Sequence, residues 1–86
     1  MINTYSTPMI VVEAVKKIDR GSTTLEIIAE TTDQQSPSEV PIVFYGKTAD
    51  EATRQLIKGA RFTYRGIVRV EDGKPKLVGL TFMRID

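Results

Sequence analysis

The chain has 86 residues, 41% of them hydrophobic, and 12 Lys and Arg stand against 11 Asp and Glu for a formal net charge of +1. That length supports one small domain with one core and little margin of stability, so self-association would help it. Cysteine and histidine are both absent, which excludes a disulfide framework, a thiolate zinc site and the usual nucleophile and general-base pairs.

Neither a glycine-rich phosphate loop nor an HExxH pattern occurs, so the chain is not expected to be an enzyme or to need a metal or cofactor. No apolar run approaches the roughly 20 residues that cross a bilayer. The start, Met1 to Pro8, lacks the basic-then-apolar order of a signal peptide, so a soluble cytoplasmic protein with no membrane partner is expected.

In chain order, residues 1–7, with Tyr5, are expected to form a flexible N-terminal arm. Met9-Ile-Val-Val-Glu-Ala-Val15, continued through Lys16-Lys17-Ile18, reads as a first strand ending at the turn Asp19-Arg20-Gly21-Ser22. Thr23 to Thr32 is a second strand, with Leu25, Ile27 and Ala29 opposing Glu26, Ile28 and Glu30. The short Arg20-Gly21-Ser22 link makes the pair an antiparallel hairpin. Residues 33–39, polar and carrying Pro37, are expected to be a mobile loop.

Val40-Pro-Ile-Val-Phe-Tyr45 is β-branched and aromatic, and Gly46 stops it: a third strand, with Pro41 near its start where a missing N–H is tolerated. A helix of about three turns should follow, capped by Thr48 or Asp50, with Asp50 and Glu51 in its first turn and Lys58 in its last. Ala49, Ala52 and Leu56, with Ile57 beside them, form its apolar face, and Gly59 ends it in the left-handed conformation.

Ala60 to Val70 alternates strictly. Phe62, Tyr64, Gly66, Val68 and Val70 share one face, and Arg61, Thr63, Arg65, Ile67 and Arg69 the other. Glu71-Asp72-Gly73-Lys74 is a hairpin turn, and Leu77 to Ile85 returns as a last strand that is apolar on both sides. Such a strand should be covered on both, by core and helix or by a second subunit. The order β-β-β-α-β-β is that of the OB fold, a five-stranded Greek-key barrel covering residues 1–86. Its second and third strands, with the loops joining strands one to two and four to five, form the usual ligand face.

Charge is unevenly spread. Arg54, Lys58, Arg61, Arg65 and Arg69 follow one another without an acid, whereas Asp19, Glu26, Glu30, Asp33 and Glu39 are relieved only by Arg20. Arg61, Arg65 and Arg69 lie four apart on one strand face, suited to phosphates and base faces. They suit equally a solvated face guarded against edge pairing.

Ile42-Val43-Phe44-Tyr45-Gly46-Lys47, the Ala-rich helix, Lys58-Gly59 and the strand through Gly66 together resemble bacterial and phage single-stranded-DNA-binding proteins. The match is closest from Val40 to Arg69. It implies non-sequence-specific binding of single strands in replication, recombination or repair, as a homodimer or homotetramer, without cofactors.

On that resemblance Tyr45 stands where an aromatic stacks on a base, Lys47 matches the lysine after the glycine, and Arg69 matches a basic residue of the following strand. Added to these as expected nucleic-acid contacts are Arg61, Arg65, Tyr64, Lys16, Lys17, Arg20, Lys74 and Lys76. Phe62 and Phe82 are expected in the core, Phe44 inside and Tyr45 outside, and Tyr64 either in the core or at a rim where its hydroxyl stays wet.

There are departures from the family pattern. The chain has no tryptophan, Glu39 stands near one stacking position, and the Asp72-Gly73 turn is short. With Arg84-Ile85-Asp86 as its end and no acidic tail, a trimmed member is expected, nucleoid-associated or encoded by a phage or plasmid. RNA in place of DNA is left open, because that choice rests on 2′-hydroxyl contacts. The alternative is an OB-fold protein–protein interaction module, a replication or primosome accessory with little nucleic-acid binding. The near-neutral charge and the missing tryptophans favour it.

Overall fold

A computed structural model describes residues 2–32, 36 and 38–85, with side chains from residue 8 onward. The elements are β1 (Ile2–Asp19), β2 (Ser22–Thr31), β3 (Glu39–Tyr45), α1 (Gly46–Gln55), β4 (Arg61–Glu71) and β5 (Lys74–Arg84). The strands close into a barrel in the order β1-β2-β3-β5-β4, with β4 returning to β1. This is the five-stranded OB-fold arrangement, with one helix between the third and fourth strands. Only β3 and β5 pair in parallel, over Ile42–Phe44 and Leu77–Gly79.

Both tight hairpins use two residues at positive φ, Arg20 and Gly21 between β1 and β2, Asp72 and Gly73 between β4 and β5. Two such residues match the right-handed twist of the flanking strands. Strict alternation buries Leu25, Ile27 and Ala29 on β2 and Ile42 and Phe44 on β3. Phe62 and Tyr64 on β4 and Ala49, Ala52 and Leu56 around α1 complete that core. Phe44 meets Phe82 edge to face, ring centroids 5.7 Å apart.

The structure corrects several expectations. Residues 1–7 were expected to be a free arm, but Ile2 to Tyr5 pair with Ile67 to Tyr64 as the opening of β1. Of the loop expected at 33–39, residues 33–35 and 37 lie outside the described residues, and Glu39 opens β3.

The helix starts a turn earlier than capping residues suggest, because Gly46 at φ 62° takes the chain straight from β3 into α1. No side chain caps it there. Thr48 Oγ1 instead donates to the Leu80 carbonyl at 3.5 Å. It also ends sooner, at Gln55, whose carbonyl accepts from Arg84 Nη1 at 3.1 Å. Ile57 therefore falls outside the helix and is exposed. Gly59, at φ 90°, donates to the Val11 carbonyl at 2.8 Å and so leads the chain into β4.

Within one chain, core and helix do not cover both sides of the last strand. Between the pairs Arg65–Thr81 and Gly66–Gly79, β5 carries one extra residue, Leu80. A bulge of this kind shifts the inward parity from Leu77 and Gly79 to Phe82, and it leaves Leu80 and Met83 exposed. Val12 does the same to β1 between Val11 and Glu13.

Barrel closure depends on two glycines whose side chains would not fit. A Cβ on Gly66 would lie 2.2 Å from the Val78 carbonyl oxygen, and one on Gly79 would lie 2.2 Å from the Phe44 ring. Gly66→Ala and Gly79→Ala are each expected to lower stability by about 1–3 kcal/mol, the cost of overpacking a tight core. Gly66→Ala should sit at the upper end, because backbone yields less than a ring. Urea unfolding checks this: the midpoint should fall while the slope stays unchanged.

Candidate nucleic-acid interface

On β3, alternation turns Pro41, Val43 and Tyr45 outward while Ile42 and Phe44 fill the barrel. Tyr45 is 36% exposed. Its hydroxyl donates to Glu71 Oε1 at 3.3 Å, so the far end of the β4–β5 hairpin is tied to the end of β3. Lys76 Nζ lies 3.9 Å from the other Glu71 oxygen. Arg69 stands opposite Lys76 in the hairpin ladder, and both cations act electrostatically on the Tyr45 phenol.

Tyr45, Arg69 and Lys76, predicted from three separate stretches of chain, therefore converge. Glu71 holds their centre, and no sequence feature marked it as more than a turn residue. Partial burial is the main force pushing the Tyr45 pKa above its ordinary 10.0, opposed by Lys76 and reinforced by Glu71 through charge and hydrogen bond. The ring is thus neutral throughout the physiological range, a donor to Glu71 and a flat surface for a base.

Lys47 follows directly in the first turn of α1 and is exposed. No acidic residue lies in that first turn, so the positive end of the helix adjoins Tyr45 uncompensated. Arg61 and Arg65 are exposed on the outer face of β4, along the strand from Arg69. Lys74 extends the same hairpin, paired with Glu71 across the turn. The cationic row read from the sequence is thus a real surface feature running from β4 into the hairpin.

Other expected contacts separate. Tyr64, expected among the nucleic-acid contacts, is a core residue only 4% exposed, its ring centroid 6.5 Å from that of Phe62. The inward parity it shares with Phe62 closes its ring to a base. Lys16 and Lys17 point to opposite faces of β1. Lys16 lines a hollow beside the helix end with Ile57 and Lys58, whereas Lys17 Nζ meets Glu26 Oε1 at 3.4 Å on the outer face. Arg20 is exposed at its turn.

The outer face of β1–β3, the usual OB ligand face, is not cationic. Glu13, Glu26, Glu30 and Glu39 occupy its outward positions, with Lys17 the cation among them. Phosphates are repelled there, and the cations that can track a backbone lie on β4 and the hairpin.

No protein-family model matches the sequence, and no curated protein does. Solved structures do match. The SSB domain of a Synechococcus sp. protein covers 95% of this chain and 90% of its own, with a TM-score of 0.69 at 15% identity. The N-terminal domain of PriB from Thermoanaerobacter tencongensis, solved as a dimeric structure, covers 98% and 97% with a TM-score of 0.75 at 13% identity. At these identities the likeness is one of fold. The chain shares the OB-fold architecture of both, the fold implied by the resemblance from Val40 to Arg69.

A phenol whose pKa is higher in the folded than in the unfolded chain stabilises the fold below its ordinary pKa. That stabilisation is lost as pH rises through the folded value. Tyr45 is therefore expected to ionise above 10.0, and Glu71→Gln should lower its pKa without cancelling the effect of burial. An NMR titration of the tyrosine ring carbons reads both.

Proposed function

We propose that the protein binds single-stranded DNA without sequence preference in replication or recombination. Phosphates follow Arg61, Arg65 and Arg69 to Lys74 and Lys76, and a base stacks on Tyr45. The observation that carries this reading is the convergence of Tyr45, Arg69 and Lys76 at the hairpin, a flat ring beside two cations. Single-strand binding needs just those parts: cations along a track, and aromatic faces that take any base. Lys47 and the uncompensated start of α1 add an anion-friendly site next to the ring. The fold shared with an SSB domain and with PriB supports the same reading.

Glu71 sets the affinity in this scheme. It neutralises part of the cationic cluster and must be displaced, or tolerated, by an incoming phosphate. The chain is further proposed to act as a homodimer. Its small size, the exposed apolar Leu80 and Met83 of β5, and the dimeric form of the PriB domain support this.

Fluorescence-anisotropy titration with labelled oligo(dT), mixed single strands and duplex at two salt concentrations tests the proposal. Single strands should bind in preference to duplex, and more weakly as salt rises. Tyr45→Ala should cost about 1–3 kcal/mol, the worth of one stacked base. Arg65→Ala should reduce the salt slope by about 1, and Glu71→Gln should tighten binding. Binding that is absent at low salt, or indifferent to salt, refutes it. Size-exclusion chromatography with light scattering should give twice the 9.6 kDa chain mass; a monomer at all concentrations refutes the dimer.

A further inference from the structure

The phosphate track leaves one large feature unused. β3 and β5 are paired only over Ile42–Phe44 and Leu77–Gly79. Where they part, a cleft of about 740 Å³ opens between the outer face of β1–β3 and the β4–β5 hairpin. Val15, Ile28, Pro41 and Val43 line it from the sheet, and Val68 and Leu77 from the hairpin. An apolar hollow of this size on so small a chain marks a place where something docks.

Its charge says what. Glu13 and Glu26 line the cleft, and Glu30 and Glu39 continue the same sheet face directly opposite one another. Like charges facing across a ladder cost stability, so the fold gains nothing from that pair. Lys76, the cation lining the cleft, is already engaged by Glu71 at 3.9 Å, and Lys17 by Glu26 at 3.4 Å. The Lys17–Glu26 pair is exposed and weak, so Glu26 can exchange it for a better placed cation. Pro41 and Pro75 stand on the two strands that part here and lack an N–H, which weakens the walls as edges for strand addition. Recognition must then come from side chains.

We propose that this cleft binds an extended segment of a partner protein in which apolar side chains are flanked by lysine or arginine. The apolar side chains fill the hollow and the cations meet Glu13 and Glu26. The site shares Lys76 with the DNA track but not the stacking residue, Tyr45, and the carboxylates that line it give it a field of the opposite sign. One small barrel would thereby hold a nucleic-acid strand along β4, the hairpin and Tyr45, and a basic partner in the cleft beside them.

The test uses the whole protein and three labelled peptides: leucine alternating with lysine, leucine with glutamate, and serine with lysine. The leucine–lysine peptide is expected to bind, with amide shifts concentrated at Val15, Ile28 and Val43. The Glu13→Gln, Glu26→Gln double variant should weaken it about tenfold, since both sites are solvent-facing and charge pairs of this kind govern partner choice. Val15→Ser, a second exposed position, should weaken it while leaving both glutamates in place. Oligo(dT) titration of the same variants should be unchanged within about twofold, which separates this site from the DNA reading. Equal binding of either control peptide, shifts lying elsewhere, or full affinity in the double variant overturns the proposal. Parallel loss of oligo(dT) and peptide binding overturns the separation of the two sites.

Discussion

Everything in this barrel hangs on the short parallel contact between β3 and β5. Three residue pairs close the sheet, and they can meet only because Gly79 leaves room for the Phe44 ring and Gly66 for the Val78 carbonyl. With the barrel shut, Phe44 and Phe82 pack edge to face inside. Because the contact is short, the strands diverge beyond it and the hairpin of β4 and β5 stands clear of the wall. The same closure thus creates the core, the cleft beside it and the reach of Glu71 back to Tyr45.

Electrostatics then divides the surface. The net charge of +1 conceals two fields: glutamates on the outer face of β1–β3, and arginines and lysines along β4 and the hairpin. At exposed separations beyond about 10 Å such fields are largely screened by salt, so each acts locally on what touches it. A chain that is nearly neutral overall in this way presents a cationic row and an apolar cleft edged with carboxylates. Glu71 is the point where the two meet, a carboxylate placed among cations beside the half-exposed ring of Tyr45.

Much of the architecture was legible because it rests on local rules. The alternation in β2 and β4, the two positive-φ turns and the helix between third and fourth strands all follow from periodicity and from what glycine permits. Parity placed Tyr45 and Phe44 on opposite faces, and the family resemblance singled out Tyr45 as the outer one, as the structure has it. The misreadings have equally local causes. Leu77 to Ile85 looked apolar on both sides because the bulge at Leu80 switches which residues face inward, and one extra residue leaves no compositional mark. The helix start was misplaced because Gly46, not a polar cap, makes the turn. Tyr64 was expected among the nucleic-acid contacts, yet the parity that also places Phe62 inside puts it in the core.

The sequence by itself determined the order of elements, the arginine row on one strand face and the absence of thiol and imidazole chemistry, since these depend on spacing and composition within short stretches. Only the tertiary structure decided which charges become neighbours. Arg69, Glu71 and Lys76 reach Tyr45 through a hairpin that returns across the barrel, and Glu13, Glu26, Glu30 and Glu39 gather on one face through strand register. Those encounters join residues far apart in the chain, Tyr45 and Glu71 being 26 positions apart and Tyr45 and Lys76 farther still. Their energies arise from distance in space, which no local pattern encodes.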